Sequence, residues 1–315
     1  MQGGHTAGVS IPMDENGGAH NAIGATGERY RALPGTLYVV ATPLGNLRDT
    51  TLRALDILGS VDVIAAEDTR VTGVLLRHYG IAARPLALHE HNELARADEI
   101  VAMLNAGRSV AVVSDAGTPG VSDPGARLVR RVRDAGLPVV PIPGASAAIA
   151  AFSTAGLAAE RFVFLGFLPS AVKAQRELLA AAAHLPFALI VYEAPHRVRA
   201  TVARIGETLG GDRTLVIARE ITKKFETIAR MTLAEGPGWF AADPNHAKGE
   251  FVLLVDAPLQ TEDPMEGREW DARRLLAALV TELSPARAAR VAAAATGLSR
   301  EALYAQVLAL KEGRG

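Results

Sequence analysis

The sequence predicts an α/β fold with two α/β domains, followed by a small helical domain at the C-terminus. Buried-strand runs alternate with helical segments from Gly35 onward, the pattern becomes mixed after Ala147, and only helical spacing follows Asp256. Strands that alternate with helices on short connections form parallel sheets covered by helices. We therefore expect a tail over residues 1–34, α/β domains over 35–147 and 148–258, and a linker with a helix-turn-helix-like domain over 259–315.

The first domain contains five strand runs separated by helical segments. The strand runs are TLYVVATP, VDVIAAEDT, ARPLALHEHNE, SVAVVSDAGTPG and PVVPIPGAS. The helical segments are TLRALDIL, which Thr50 or Thr51 can cap, then GVLLRHYG, ELARADEIVAMLNAG and GARLVRRVRDAG. This alternation predicts a parallel sheet with helices on its faces.

The second domain begins near Ala147 with the small-residue helix AAIAAFSTA. Its strand runs are RFVFLGFLP, FALIVYEAP, TLVIARE and GEFVLLVD, and helical segments separate the first three, which predicts a mixed α/β domain. An acidic, proline-containing linker follows. We expect three terminal helices, the second beginning at Ser284–Pro285 and the third capped by Ser299, which resembles helix-turn-helix architecture.

The composition excludes several classes of site. The chain of 315 residues contains no cysteine, so thiolate catalysis and cysteine-ligated metals are excluded. A formal net charge of -1 provides no global basic field, so any nucleic-acid contact must come from local patches. No apolar run reaches the roughly 20 residues that span a bilayer. The glycine-rich N-terminal tail lacks a signal-peptide pattern and is expected to be mostly disordered, so we expect a cytoplasmic protein with no membrane contact.

Polar loops with glycine or proline follow the strands of the first domain: ATPLGNLRDTT, AAEDTR, LHEHNE, VSDAGTPGVSDPG and PIPGASAA. One such loop is explained by turn formation, but five on one rim favour a binding site, because ligands of open α/β sheets bind beyond the carboxyl ends of strands. Neither common glycine-rich phosphate-binding motif is present. A cofactor such as a nucleoside with a charged tail fits better, with Asp115 accepting hydrogen bonds from it.

These loops, together with YEAPHR, AREITKKFE and KGEFVLLV, resemble the motifs of the tetrapyrrole-methylase-type S-adenosylmethionine methyltransferases. Within that superfamily they are similar to the members that methylate a cytidine 2′-hydroxyl in 16S rRNA. The resemblance covers Gly35 to Asp256 and the terminal helices, and its main departure is Ile221, where the pattern has leucine. It implies the class III methyltransferase fold, S-adenosyl-L-methionine as cofactor in a cleft between two α/β domains, 16S rRNA of the small ribosomal subunit as substrate, and a homodimer.

The resemblance also implies which residues contact the cofactor. These are Pro43 in the first loop, Asp115 and Thr118 in the fourth, Ser146 and Ala147 in PIPGAS, and Tyr192 in the second domain.

The candidate catalytic residues are Glu67, Asp68, Glu220 and Lys223, all at strand ends. We favour Asp68 as the group that accepts the hydroxyl proton or orients the ribose. Lys223 would stabilise negative charge that develops on the oxygen. The alternative is structural: Glu67 to Arg70 cap a helix, and Glu220 to Lys224 form a solvated strand end.

No metal site is expected. His89 and His91 lie on one face of a strand and could form a metal pair, but no clustered ligands support one. Two other functions stay open: methylation of a tetrapyrrole with the same fold and cofactor, and a non-catalytic RNA-binding protein that uses the terminal helices. The arginines of ARLVRRVRD and HRVRATVAR are expected to be solvated or to contact phosphates.

Overall fold

The computed structural model describes residues 30–89, 92–258, 272, 275–281 and 283–312. The chain divides into two compact units. The first contains Met1–Thr42 and Asp49–Gly144, and the second contains Pro43–Arg48 and Ala145–Gly315. The short segment Pro43–Arg48, which the sequence analysis placed in the first domain, therefore packs with the second unit.

The first unit is built on a parallel five-stranded sheet in the order β3-β2-β4-β1-β5. The strands are β1 (Leu37–Val40), β2 (Val63–Ala66), β3 (Leu86–Ala87), β4 (Val110–Val113) and β5 (Val139–Ile142). The helices are α1 (Leu52–Leu58), α2 (Thr69–His78), α3 (Glu93–Asn105) and α4 (Ala126–Asp134). The predicted parallel sheet is thus confirmed, although β3 is much shorter than its sequence run.

Two of its helix starts follow directly from the local sequence. The side chain of Thr51 accepts a hydrogen bond from the backbone N–H of Ala54 at 3.2 Å and caps α1, as predicted. The carboxylate of Asp68 accepts from the N–H of Arg70 at 2.8 Å and caps α2. A short side-chain oxygen at this position satisfies N–H groups that the first helical turn leaves unpaired.

The second unit contains a mixed sheet in the order β6-β7-β10-β8-β9, in which only the β6–β7 pair is parallel. The strands are β6 (Phe162–Phe167), β7 (Ala188–Glu193), β8 (Thr214–Arg219), β9 (Thr227–Thr232) and β10 (Phe251–Val255). The helices are α5 (Ala147–Ala155), α6 (Val172–Ala182), α7 (Val198–Leu209) and α8 (Gly236–Ala242). The predicted mixed α/β character is confirmed.

Two further elements, β9 and α8, were not predicted from the sequence. Strand β9 is an edge strand whose alternate residues Ile228 and Arg230 are exposed, so it lacks the continuous apolar run of its buried neighbours. Helix α8 begins with Gly-Pro-Gly, which reads as a turn. Packing of Phe240 into the core beside the sheet stabilises this short helix.

The terminal helices α9 (Pro285–Thr296) and α10 (Arg300–Glu312) pack around a hydrophobic cluster of their own. Ser284 occupies the cap position of α9 as predicted, and Gly297 ends that helix in a left-handed conformation with φ of 70°. Residues 275–281 are also helical. The predicted linker, from residue 259 to the start of this helical part, lies outside the described residues.

Most of the tail that was predicted to be disordered lies outside the described residues. For its last part, from residue 30, the prediction of disorder is wrong. The N–H of Tyr30 donates to Asp56 at 3.0 Å, and the N–H of Leu33 donates to the Tyr38 hydroxyl at 2.9 Å. Residues 30–33 therefore belong to the first unit. Within the part of the chain that the structure describes, no helix combines the length and apolar character needed to cross a membrane.

Candidate functional site

The loops after β2 and β4 bring three carboxylates together in the first unit. The backbone N–H of Asp68 donates to Oδ1 of Asp115 at 2.9 Å, and the N–H of Asp115 donates to Oε2 of Glu67 at 3.3 Å. Both loops lie at the carboxyl ends of adjacent parallel strands, where open α/β sheets bind ligands. The two loops were predicted to lie on one rim of the sheet, and these contacts bring Glu67, Asp68 and Asp115 close together.

The loop after β4 is held on both sides. Gly117 forms a two-way backbone bridge with Thr42 after β1, with N···O distances of 2.8 and 3.0 Å. The φ of Gly117 is +79°, a conformation that a side chain disfavours. Thr118, a predicted cofactor residue, is half-buried in this loop, and its carbonyl accepts from the N–H of Val121 at 3.3 Å.

Glu93 holds the other end of the same loop. This carboxylate is buried, and its Oε1 accepts the N–H groups of Gly125, Arg127 and Leu128 at 3.0, 3.0 and 3.2 Å. A side chain from α3 therefore caps the N-terminus of α4. Sequence reasoning missed this role because the partners are 32 or more residues away along the chain.

The electrostatics of these loops raise the pKa values of three carboxyl groups. Burial and the neighbouring acids raise the pKa of Glu67 above its usual range. Asp115 is more exposed, but partial desolvation of its carboxyl group also raises its pKa. Burial together with the negative charge of Glu67 raises the pKa of Asp123, in the same loop, to about 6. Asp123 was not among the predicted site residues. Its proximity to Glu67 arises only when the loop is folded.

Asp68 has a different environment. The side chain of Arg70 and its backbone N–H both donate hydrogen bonds to the Asp68 carboxylate. These bonds, of which the side-chain ones have the larger effect, lower the pKa of Asp68 to about 2. A carboxylate with this pKa is a weak proton acceptor. These contacts favour the capping interpretation of Asp68 over the catalytic role that the sequence analysis preferred.

In the second unit, Lys223 lies between two glutamates. Its Nζ is 3.1 Å from Oε1 of Glu220 and 2.7 Å from Oε2 of Glu250. Burial works against the charge, but these two carboxylates raise the pKa of Lys223. Burial also opposes the charge of Glu220, yet the N–H of Glu250 and the Lys223 ammonium lower the pKa of that carboxyl group. Lys223 thus carries a positive charge that is paired with the carboxylates of Glu220 and Glu250.

The segment Pro43–Arg48 packs against this ion-pair group. A Cβ built on Gly45 would clash with the side chain of Lys223, so a larger residue here would force the lysine side chain to shift. Pro43, a predicted cofactor residue, is buried two residues earlier. The PLGN loop therefore contributes to the second unit at the side chain of Lys223.

Tyr192 and the start of α5 meet in the same unit. The N–H of Ala148 donates to the Tyr192 hydroxyl at 3.1 Å, and the Tyr192 ring contacts Phe164 and Phe167 edge-on. Ser146 is the cap residue of α5, but its hydroxyl makes no capping hydrogen bond, and Ala147 is the first residue of that helix. Three predicted cofactor residues, Ser146, Ala147 and Tyr192, are thus brought together.

Glu193 and Arg197 of the YEAPHR motif have a structural role. The Glu193 side chain is fully buried and accepts from the Thr201 hydroxyl at 2.6 Å, and Arg197 lies 3.2 Å from it. Arg197 also donates to the Leu168 carbonyl at 2.8 Å. This network holds the end of β7 and, with it, Tyr192.

The described residues contain no group of three or more histidine, aspartate or glutamate side chains arranged to hold a metal ion. The N–H of His89 donates to the side chain of Asn92 at 2.9 Å. His91, the second member of the pair that the sequence suggested, lies outside the described residues.

Comparison with known protein families gives two matches. Residues 36–236 match the tetrapyrrole (corrin/porphyrin) methylases, and residues 266–311 match the family described as the RsmI C-terminal HTH domain. Among solved structures, the methyltransferase CobJ is 23% identical with a TM-score of 0.56, covering 71% of this chain and 95% of its own. A uroporphyrin-III-C-methyltransferase from Thermus thermophilus is 22% identical with a TM-score of 0.51, covering 70% and 94%. At these identities the structures establish the fold alone.

Curated relatives match more closely. A protein of Escherichia coli O157:H7 is 48% identical over 274 residues, which is 87% of this chain and 95% of the relative. One of Neisseria meningitidis serogroup A is 49% identical over 277 residues, or 88% and 94%. Both are named ribosomal RNA small subunit methyltransferase I. The chain therefore belongs to the tetrapyrrole methylase family and, within it, to the ribosomal RNA small subunit methyltransferase I group.

Proposed function

We propose that this protein uses S-adenosyl-L-methionine to methylate the 2′-hydroxyl of a cytidine in 16S rRNA of the small ribosomal subunit. One observation carries the proposal: relatives that are 48–49% identical over nearly their whole length are named rRNA small subunit methyltransferases. The terminal match at residues 266–311 gives further support, because it includes the helical domain as well as the methylase core.

The described residues fit the proposed cofactor in their chemistry. In the first unit, Asp115 is an exposed carboxylate that can accept hydrogen bonds from ribose hydroxyls or an ammonium group, and Thr118 lies in the same loop. In the second unit, the start of α5 at Ser146 and Ala147 presents N–H groups that favour a carboxylate. Tyr192, which is partly exposed, provides aromatic surface, and the buried Pro43 begins the PLGN loop. We assign the cofactor contacts to these residues.

The bound cofactor supplies a methyl group on a sulfonium centre. Transfer of this methyl group leaves the cofactor as a neutral thioether, which needs no proton. The protein must therefore align the ribose hydroxyl and remove its proton. Alignment of reacting groups can contribute roughly 7–11 kcal/mol, and a general base typically adds about 10²–10⁴-fold.

We assign proton acceptance to Glu67 in place of Asp68. The pKa of Glu67 is raised, which makes its carboxylate the stronger base, whereas the Asp68 carboxylate is held by Arg70. Lys223 remains the candidate for stabilising charge on the oxygen, but it must exchange Glu220 or Glu250 for the substrate to do so. Glu220 accordingly positions Lys223 in this proposal.

The experiment is incubation of unmethylated small ribosomal subunits with labelled S-adenosylmethionine, followed by nuclease mapping of the label. A 2′-O-methyl group protects the adjacent phosphodiester bond from alkaline hydrolysis, so the labelled nucleotide should survive in an alkali-resistant dinucleotide. An alkali-sensitive label would contradict 2′-O transfer. Label on an added porphyrinoid, with none on RNA, would favour the tetrapyrrole alternative, and binding of RNA without any transfer would favour the non-catalytic one.

We also propose that the protein is a homodimer, and that it is cytoplasmic because the N-terminal tail lacks a signal-peptide pattern. Sedimentation equilibrium of the purified chain tests the oligomeric state. A molecular mass near 33.0 kDa at micromolar concentration would contradict the dimer.

A further inference from the structure

The loop between β8 and β9 presents an aromatic ring to solvent. The Phe225 side chain is 62% exposed, and no other phenylalanine in the described part of the chain has a larger exposed fraction. Exposing an apolar ring costs free energy unless a partner covers it. The exposed ring is therefore available to a partner that would cover it.

The backbone that carries Phe225 is fixed. The Phe225 carbonyl accepts from Nη1 of the buried Arg219 at 3.2 Å and from the Thr227 hydroxyl at 3.2 Å. Arg219 is itself held by the carbonyl of Lys248 at 2.5 Å. The ring is thus displayed from a constrained position, and a group that is already ordered loses less entropy on binding.

The same loop contains two non-glycine residues in the left-handed region. The φ of Glu220 is +52° and that of Thr222 is +67°. Such backbone conformations are costly and concentrate at sites of function. A hydrogen bond from the N–H of Thr222 to Oε2 of Glu226 at 2.5 Å, with the ion pair of Glu220 and Lys223, stabilises the turn.

The Lys224 ammonium group supplies a positive charge beside the Phe225 ring. The carboxylates of Glu220 and Glu250 are engaged by Lys223, and Glu226 is engaged by the loop backbone. Lys224 forms no ion pair within the described residues, and its Nζ lies 5.5 Å from the centre of the Phe225 ring. A planar ring next to an ammonium group matches a nucleotide, which offers a base to stack and a phosphate to pair.

We propose that Phe225 and Lys224 form a stacking platform for a nucleobase of the single-stranded rRNA substrate next to the acceptor nucleotide. The position follows from the chain: Lys223, the candidate cation at the acceptor oxygen, immediately precedes Lys224. The inference rests on the proposed rRNA methylation and adds a substrate contact to it. Stacking tolerates any base, so this platform positions the RNA strand without selecting its sequence.

The main test compares Phe225→Ala and Phe225→Trp with the wild-type chain on small ribosomal subunits. Phe225→Ala should raise KM for the subunit at least tenfold and leave calorimetric cofactor affinity unchanged, while Phe225→Trp should restore KM. Lys224→Gln should raise KM less and weaken its salt dependence. The matched control is Val172→Ala, which truncates another exposed apolar side chain of the same unit.

A second measurement does not depend on methylation. A single-stranded oligocytidylate should quench the tryptophan fluorescence of Phe225→Trp. The quenching should exceed that of the wild-type chain, which has two native tryptophans. Wild-type KM for Phe225→Ala, or no added quenching in Phe225→Trp, would overturn the platform. Dissociation of a dimer by Phe225→Ala would also overturn it, because the ring would then be a contact between copies. Failure of wild-type label transfer to rRNA would instead contradict the proposed function, and the quenching experiment separates the two.

Discussion

The backbone N–H of Asp68 donates to the carboxylate of Asp115 at 2.9 Å and so joins the loops that follow β2 and β4. The two residues are 47 positions apart in the sequence. The parallel pairing of β2 with β4 places them at the same sheet edge. A change at Asp115 therefore affects both a candidate ligand contact and the geometry of the neighbouring loop.

We predict that Asp115→Ala weakens binding of S-adenosylmethionine at least tenfold, because its carboxylate can hydrogen-bond the ligand and also holds the Asp68 N–H. Asp115→Asn retains an acceptor oxygen and should weaken binding less. Isothermal titration calorimetry measures both, with the exposed Asp134→Asn of the same unit as control. Equal affinity for Asp115→Ala and the control would remove Asp115 from the cofactor site.

We predict that Glu67→Gln lowers the single-turnover methylation rate by about 10²-fold or more, because it removes the carboxylate that we assign as proton acceptor and whose pKa is raised by burial. Asp68→Asn should have a smaller effect, since the Asp68 carboxylate has a pKa of about 2 and caps α2. Rates measured from pH 5 to pH 9 check the assignment. A large loss of rate in Asp68→Asn, with a normal rate in Glu67→Gln, would instead assign proton acceptance to Asp68.

We predict that Asp123→Asn stabilises the protein at neutral pH. The pKa of Asp123 in the folded chain is about 6, above its ordinary value of 3.8, so the folded state binds this proton more tightly than the unfolded state. The resulting stability is present below about pH 4 and is lost as pH rises through about 6. The variant should gain about 1–2 kcal/mol at pH 8 after allowance for partial exposure.

Thermal unfolding of both proteins at pH 4 and pH 8 tests this prediction, and the two melting temperatures should converge at pH 4. A variant that is less stable than the wild type at pH 8 would show that contacts stabilise the ionised Asp123 carboxylate by more than burial destabilises it.

We predict that Glu93→Ala lowers the free energy of unfolding by about 2–3 kcal/mol, because three N–H groups at the start of α4 lose a charged acceptor. Glu99→Ala on the same helix removes a more exposed ion pair with Arg96 and should cost less than about 0.5 kcal/mol. Urea unfolding measures both. Similar values for the two variants would mean that water replaces Glu93 at the helix end.

We predict that removal of residues 267–315 leaves cofactor affinity nearly unchanged and reduces methylation of the small subunit. The helices in this part of the chain pack around a hydrophobic cluster of their own, so their loss exposes little of the α/β core. Calorimetry with the cofactor and label transfer to subunits provide the two readouts. Loss of cofactor binding in the truncated chain would make the terminal helices part of the catalytic unit.

The local sequence was sufficient for most of the elements and for the loops that carry the candidate site. Apolar runs that end at polar residues defined the buried strands, and Thr51 could be identified as a cap because its partner Ala54 is only three residues away. The positions of Glu67 and Asp115 at strand ends followed from the same alternation. The edge strand β9 escaped, because half-exposed residues such as Ile228 and Arg230 do not form an apolar run.

Tertiary structure decided the chemistry of the individual side chains. The sequence by itself determined that Glu67 and Asp68 follow one strand, but only folding made one of them a raised-pKa carboxylate and the other a helix cap paired with Arg70. Burial and charge depend on groups that meet across the fold, as Glu93 meets Gly125 and Lys223 meets Glu250. Local sequence patterns cannot encode these distances, because they arise when strands remote in the chain become neighbours in a sheet.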